Sequence, residues 1–447
     1  MNRPVQTSDR GGPARRRSGP PRAVLALFLA ALAAAVPGRP AAAGPLLPAE
    51  PQLMVGPNAD AKAHLHAAAA ALQKHDLAKA DAEYHAAAAA APTAPDPLVG
   101  LADVAMRRGD RKGAREDLDK ALKLAPASPL AHSAMGAYLW ATKDLKGAQG
   151  EFDKAAALDP KSAKLRLQQG NFYAAALRDA AGAEQAYRAA IALAPKDAAT
   201  HFALGSLLLQ TRKLPEAKAE LKEATQLAPN NPLGWTLLGA AEQGLGEYDD
   251  ALRAFDAASK IAPKFLGPRI ARGEVLLAQG RTDAAIDTFK EALKIDGHAT
   301  TALLHLAMAE SKAGHQAEAE DAYRAVLKYD PRNVIALNDL AYMLAIGKRD
   351  LDNALTYAKT ASQLAPAAAN IRDTLAWVYR ARGDLPAAAK VLAAIPEKSA
   401  NAEILYHLGI VDAGMGNMQA ARTAFDKALK LAPGYAAAKE ARAKLGP

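Results

Sequence analysis

Four of the ten histidines stand close together near the start of the chain, and clustered imidazole nitrogens are the kind of ligand set that binds zinc. The four are His64, His66, His75 and His85. Two of them return at equivalent places further along, His64 as His132 and His201, and His66 as His305 and His407, while His75 falls in a turn, as His315 does. A residue type that returns at a fixed interval marks a position in a repeated structure. The histidines are therefore predicted to be packing or turn residues, and no metal site is predicted.

The residues needed for catalysis do not form any recognisable pattern. The chain has no cysteine, which excludes disulfides, thiolate metal sites and cysteine nucleophiles. It also has no phosphate-binding glycine loop, zinc-protease helix motif or nucleophile elbow. Most Asp and Glu residues alternate with Lys, as in EAKAELKEA at 216–224, which is typical of a solvated helix face. No enzyme activity and no cofactor are predicted.

Residues 1–43 have the three parts of a secretory signal peptide. An arginine-rich start precedes the apolar run Ala23–Val36, and Ala41–Gly44 fits the small-residue cleavage pattern. The run of fourteen residues is short for a membrane span. We expect a cleaved signal and hence an exported protein, periplasmic or secreted, with no membrane span after signal removal; a retained anchor is the alternative. Residues 44–59 carry four prolines and no periodic pattern, which predicts a linker.

The net charge of +9 is concentrated in the signal segment, which holds seven Arg against one Asp. The remaining chain has 49 basic and 46 acidic residues, a balance of +3. A protein that binds nucleic acid through its backbone phosphates needs a much larger excess of basic residues. No nucleic acid partner is predicted.

A proline returns at nearly constant intervals and divides residues 60–433 into eleven units. The units end near 92, 126, 160, 195, 229, 263, 297, 331, 366, 396 and 433, with Gly at 297 and Pro at the other ten places. The usual spacing is 34 residues. The fourth and ninth units each have one extra residue, which we expect in turns. The tenth unit is shorter, so its second helix should be shortened.

Two positions in every unit accept only small residues. We call the first the alanine slot, because it holds Ala at 80, 114, 148, 183, 217, 251, 285, 319, 354, 388 and 421. We call the second the small slot, because it holds Gly or Ala at 68, 102, 136, 170, 205, 239, 273, 307, 341, 376 and 409. Two helices that cross at such positions approach too closely for larger side chains. The two slots are predicted to be the contact between paired helices.

Other recurring residues mark the ends and edges of the helices. A bulky residue four after the alanine slot, such as Phe152 or Phe289, should fill the space toward the next unit. Glycines end the first helix where a positive φ is needed, at Gly109, Gly280, Gly314 and Gly383. Pro215 and Pro386 fall in the first turn of the second helix, where a missing N–H costs nothing.

This pattern resembles the tetratricopeptide repeat (TPR) family over nearly all of residues 60–433. The resemblance implies an all-α fold, a right-handed α-solenoid of about eleven TPR helix pairs, with the first helix of each pair lining a concave groove. Residues 434–447 look like a polar capping helix. The Trp-like position of the family is often His or Arg here, as at His64, His132, His201 and Arg269.

The resemblance places two first-helix positions on the groove floor, one directly after the small slot and one three residues before it. In the later units these positions change from small or apolar residues to aromatic and polar ones. Arg380 follows one turn after Trp377 and is placed to meet a carboxylate or to stack on the indole. The predicted partner-binding site consists of Met308, Asn338, Tyr342, Asp373, Trp377, Arg380 and Tyr406.

Trp377 has a second interpretation, in which it stacks on Tyr342 and fills a gap left by the short tenth unit. Aromatic residues with polar neighbours are also the usual energetic centre of a peptide site. We therefore expect a non-catalytic scaffold of the bacterial cell envelope, whose groove binds peptide segments or partner subunits. The alternative is an accessory protein of exopolysaccharide synthesis or export, in contact with polysaccharide-export machinery.

Overall fold

The computed structural model describes residues 58–446, which form two compact units, 58–262 and 263–446. The predicted signal lies outside the described residues, as does the predicted linker apart from Asn58 and Ala59. Ala59 already begins the first helix, and the Asn58 side chain caps it by accepting from the N–H groups of Asp60 and Ala61.

The N-terminal unit, residues 58–262, consists of helices joined by short turns. Its α-helices are α1 (Ala59–Gln73), α2 (Leu77–Ala90), α3 (Asp96–Arg108), α4 (Arg111–Leu124), α5 (Pro129–Ala141), α6 (Leu145–Leu158), α7 (Ala163–Phe172), α8 (Ala180–Leu193), α9 (Ala198–Gln210), α10 (Leu214–Leu227), α11 (Pro232–Leu245) and α12 (Tyr248–Ile261). Successive helices pack in twos, so that α1 with α2 forms pair one and α11 with α12 forms pair six.

The C-terminal unit, residues 263–446, continues in the same way. Its α-helices are α13 (Leu266–Ala278), α14 (Thr282–Ile295), α15 (Thr300–Ala313), α16 (Gln316–Tyr329), α17 (Val334–Ile346), α18 (Leu351–Leu364), α19 (Ala369–Ala381), α20 (Leu385–Ala393), α21 (Ala402–Gly414), α22 (Met418–Leu431) and α23 (Ala436–Lys444). They form pairs seven to eleven, followed by the single helix α23. The predicted all-α solenoid of eleven helix pairs and a final helix is confirmed, and residues 58–446 contain no strand.

The predicted slots are the places where paired helices touch. Every alanine-slot residue is completely buried. At the small slot, a Cβ added to Gly273 would lie 2.4 Å from the Phe289 ring, and one added to Gly409 would lie 2.5 Å from the Phe425 ring. The bulky residues therefore pack first against the small slot of their own pair, and some also reach the next pair, as where Phe289 stacks on His305 with ring centroids 5.5 Å apart.

All eleven turns within the pairs use one residue in the left-handed region. Six of these residues are glycines, and they include the four predicted ones, with φ between 79° and 87°. In the other five turns the position is filled by His75, Lys143, Arg178, Arg212 and Lys348, with φ from 50° to 71°. His75 is therefore a turn residue, and Gly314 is its counterpart in pair eight, where His315 stands one position later with a φ of −81°.

The two extra residues are accommodated differently. The extra residue of the ninth unit lies in the turn, where Asp350 takes a second positive φ of 47°. The extra residue of the fourth unit does not lie in the turn as predicted, because the end of the first helix widens into a π-helix at Tyr173–Leu177. The wider helical turn takes up the added residue before the normal left-handed turn residue, Arg178.

Pair ten has the predicted short second helix. Helix α20 has nine residues where other second helices have fourteen, and a 3-10 turn, Glu397–Ser399, follows it. Stacking still continues across this place, because Leu392 and Ile395 are buried together with Ile404 of α21. Among residues 58–446, no helix is both long and apolar enough to cross a bilayer.

Replacing glycine with alanine should change stability in opposite directions at Gly273, in the small slot, and at Gly150, on an exposed helix face. Gly273→Ala should lower the free energy of unfolding by about 1–3 kcal/mol, because the new methyl group overlaps the buried Phe289 ring. Gly150→Ala, on the exposed face of α6 with open space around it, should raise stability by about 0.5–1 kcal/mol. Urea denaturation of both variants measures the difference, and shifts of the same sign would contradict the slot assignment.

Candidate functional site

The repeated histidines have structural partners. The rings of His132 and His201 contact a glutamate of the second helix through Nδ1, at 2.6 and 2.7 Å. Their Nε2 atoms lie 2.9 and 3.0 Å from the carbonyl oxygen of the proline six residues earlier. Trp235 and Arg269 occupy the same slot and donate to the equivalent proline carbonyl at 2.8 and 2.6 Å. The repeat position four residues before the small slot therefore supplies an N–H donor to the preceding loop, which confirms that its residues have a packing role.

Burial acts to lower the pKa of His201, but the Pro195 carbonyl and the Glu220 carboxylate outweigh it, so the pKa lies above its ordinary value of 6.5. His64 makes the same contact with Glu83, at 2.7 Å. Within residues 58–446, no group of three or more His, Cys, Asp or Glu side chains is arranged to hold a metal ion.

The seven predicted site residues lie on four first helices of the C-terminal unit. Helix α15 carries Met308, α17 carries Asn338 and Tyr342, α19 carries Asp373, Trp377 and Arg380, and α21 carries Tyr406. Met308 is 40% exposed. Asn338 and Asp373 are buried, while the three aromatic residues and Arg380 are half-buried. The contacts described below connect the residues of α19 and α21 with one another.

Asp373 is bound by a histidine of the next pair. His407 Nδ1 lies 2.8 and 2.9 Å from the two carboxylate oxygens, and His407 is only 2% exposed. The imidazole also lies against Trp377, with ring centroids 4.0 Å apart, and the Arg380 guanidinium lies over the same indole at 4.4 Å. The indole is therefore partly covered by its own chain, and a ligand would meet only its remaining surface.

The aromatic surface extends beyond the predicted residues to the final helix. The Tyr406 ring lies 5.3 Å from that of Tyr435, which precedes α23, and 5.9 Å from that of Phe425. Burial raises the pKa of Tyr435, and the nearby Glu403 carboxylate adds to the effect, with smaller contributions from Tyr406, Tyr342 and Asp373. We call Asn338, Tyr342, Trp377, Tyr406 and Tyr435 the C-terminal groove site.

Asn338 presents an unused hydrogen-bond acceptor. Its Nδ2 donates to Asp339 Oδ1 at 2.9 Å, and Asp339 Oδ2 accepts from the Tyr323 hydroxyl at 3.1 Å. This arrangement fixes the amide so that its oxygen points away from Asp339. Asn338 is 6% exposed, and its Oδ1 has no hydrogen-bond partner among the described residues. A buried acceptor without a partner costs about 1–3 kcal/mol. This oxygen is itself enclosed, so a ligand N–H would reach it only after neighbouring side chains move.

Two residues of this region were not predicted as site residues. His407 was interpreted as a packing position from its recurrence, and it is buried, but its partner is the predicted site residue Asp373. Tyr435 lies in the segment interpreted as a capping helix. The signal for His407 was available, because it stands 34 residues after Asp373, one repeat length later.

The buried Asp373–His407 hydrogen bond should stabilise the C-terminal unit. Asp373→Asn or His407→Gln should each cost about 2–3 kcal/mol, and the double variant should cost clearly less than the sum. The matched control is Lys427 with Glu397, also 2.8 Å apart but with side chains 53% and 81% exposed. Neutralising that pair should leave the urea midpoint unchanged. Equal effects for the two pairs would show that burial does not govern the strength of the contact.

The comparisons with known proteins agree with this architecture. A tetratricopeptide repeat model matches residues 174–241, 276–341 and 345–408, a second matches 99–163 and 236–300, and a third matches 402–435. Together these matches take in most of the chain. The protein belongs to the tetratricopeptide repeat family.

Similarity to individual proteins is partial. The chain is 27% identical over 214 residues to a TPR repeat-containing protein of Pseudomonas aeruginosa, covering 47% of this chain and 36% of the relative. It is 30% identical over 94 residues to DnaJ homolog subfamily C member 3 of Homo sapiens, covering 21% of this chain and 19% of the relative. The chain thus spans about a third or less of the length of these relatives.

Solved structures with similar helix arrangements include the C-terminal part of a TPR repeat-containing protein from Cytophaga hutchinsonii, with a TM-score of 0.46 at 17% identity, covering 54% of this chain and 99% of that chain. Yeast Tom70 has a TM-score of 0.43 at 16% identity, covering 80% of this chain and 90% of that chain.

Proposed function

We propose that this protein is a non-catalytic scaffold that binds a peptide segment of a partner protein in the C-terminal groove site. The fold class is one whose members bind proteins or peptides. The observation that carries the proposal is the group of half-buried aromatic rings at the C-terminal end, where Trp377 lies against His407 and Tyr406 contacts Tyr435.

The side chains around Asn338 support the same ligand class. Tyr342 lies one helical turn further along α17, and Trp377, Tyr406 and Tyr435 continue the aromatic surface on the following elements. Half-buried aromatic rings provide large apolar contact areas at a small cost in side-chain entropy. Such rings around one oriented polar group match the usual composition of a peptide-binding centre.

The binding test needs a defined probe, since the natural partner is unknown. A peptide selected from a random display library and labelled with a fluorophore can be titrated by anisotropy against the full chain. Trp377→Ala should weaken binding by about 2 kcal/mol, roughly thirtyfold, because aromatic anchors dominate such sites. Tyr342→Ala should act in the same direction, and the two effects should be coupled, because both residues belong to one continuous surface.

The matched control is Trp235→Ala, which removes a half-buried indole from the N-terminal unit and should leave peptide affinity unchanged. A large loss of stability with unchanged affinity of the folded protein would assign Trp377 to packing and remove it from the site. Binding of neutral oligosaccharides in place of any selected peptide would favour the exopolysaccharide alternative.

The place of action is proposed from the first 43 residues. Their basic start, apolar run and small-residue cleavage pattern support export to the periplasm or beyond, and hence a role in the bacterial cell envelope. The mature chain should then begin near Gly44. N-terminal sequencing of the protein purified from an envelope fraction tests this, and intact Met1 on protein found only in the cytosol would contradict it.

A further inference from the structure

Glu242 is an acidic residue at a repeat position that is mostly apolar. The position three residues after the small slot holds Ala, Leu or Tyr in eight of the eleven pairs, and it holds Glu242 in pair six. Glu242 lies in the last turn of α11 and is 7% exposed. Its Oε2 has no hydrogen-bond partner among the described residues. An ionised carboxylate in such a place is costly unless a cation or a donor binds it.

The nearest cation on the preceding pair is already bound by another acid. Helix α11 packs against α9 and α10 of pair five and against α12 of its own pair. From α10, Lys218 faces Glu242, but its Nζ forms an ion pair with Glu247. Glu247 stands directly after the turn glycine, Gly246, and repels a negative charge on Glu242.

The charges on the other two neighbouring helices are also paired. From α12, Asp250 and Arg253 face Glu242, and these two side chains form an ion pair with each other. Helix α9 carries one titratable side chain, His201, which is bound to Glu220 at 2.7 Å. Each cation near Glu242 therefore has a closer carboxylate of its own, so ionisation would place one more negative charge among pairs that are already balanced.

Pair eight shows the same repeat position with its charge compensated. Glu310 is 1% exposed, yet His315 Nδ1 lies 2.6 Å from its Oε2 and Lys290 Nζ lies 2.9 Å from its Oε1. Burial acts to raise the pKa of Glu310, but these two partners outweigh it, and the pKa lies below its ordinary value of 4.5. In pair six the position of His315 is taken by Glu247, which has the opposite charge sign.

We propose that Glu242 is a pH-sensitive element of the N-terminal unit, whose ionisation weakens the packing of α11 on α10 and α12 and whose protonation restores it. Burial raises the pKa of Glu242 to about 7, and the Asp250 carboxylate adds to the effect. Because this value lies above the ordinary 4.5, the folded chain binds the proton more tightly than the unfolded chain does. The added stability is therefore fully present below pH 4.5 and is lost as the pH rises through 7.

The first experiment replaces the carboxyl group with a neutral amide of nearly the same size. At pH 8, the amides of residues 232–261 should exchange at least tenfold more slowly in Glu242→Gln than in the unsubstituted chain, because no charge is buried in the variant. At pH 4.5 the two chains should agree within about twofold, since Glu242 is then protonated. Comparison at one pH cancels the effect of pH on intrinsic amide exchange. Equal rates at pH 8, or faster exchange in the variant, would overturn the proposal.

The matched control is Glu310→Gln, the same change at the same repeat position. It should act in the opposite direction at pH 8, with faster exchange of residues 300–329, because Lys290 and His315 lose their partner. If both variants slow exchange, the amide itself is stabilising and the charge of Glu242 is not the cause.

The second experiment measures the titration of Glu242 directly. In the full chain labelled with ¹³C at the glutamate carboxyl groups, NMR should show a glutamate that titrates near pH 7, and this signal should be missing in Glu242→Gln. This measurement does not require the variant to be stable. If no glutamate signal titrates above about pH 6, Glu242 ionises as an ordinary carboxyl group and the proposal is refuted.

Discussion

The close approach of two helices at an alanine with no exposed surface is the constraint on which the rest of this molecule depends. Each pair has one such alanine, and wherever the small slot holds a glycine, an aromatic or leucine side chain packs into the room that the glycine leaves. These contacts fix the spacing within a pair, so the groove-facing positions of the first helix are free to vary without loss of the fold. The surface chemistry of the first helices can therefore differ from pair to pair while the helix packing stays the same.

The variation produces two surfaces of different chemistry. In the N-terminal unit, small residues open an uncharged cavity beside Phe202. In the C-terminal unit, the rings of Trp377 and Tyr406 lie against His407, which forms a buried hydrogen bond with Asp373. The first surface is uncharged, whereas the second combines aromatic rings with the charged side chain of Arg380.

The structural features that recur in every unit could be predicted from the sequence. Those that depend on a single residue or on one contact between helices could not. The alanine slots, the glycine turns and the helix pairs follow from recurrence, because the same backbone geometry is needed in each pair. An extra residue can lie in a turn or within a helix, and spacing alone does not distinguish these outcomes, so the π-helix was missed. Recurrence identified His407 as buried but not as the partner of Asp373, since that partner lies on a different helix. The orientation of Asn338 likewise depends on Asp339 and Tyr323, whose contacts are visible only in three dimensions.

The short helix α20 also determines how the array can come apart. In a repeat array, cooperativity depends on the coupling between neighbouring pairs, and a second helix of nine residues offers fewer apolar contacts than one of fourteen. Opening at this junction would release residues 402–446 together, and amide exchange would register it as a step in protection there. The Asp373–His407 hydrogen bond spans the junction. A ligand that contacts both sides would strengthen the same coupling, so occupancy of the groove would be transmitted to the end of the chain as resistance to opening.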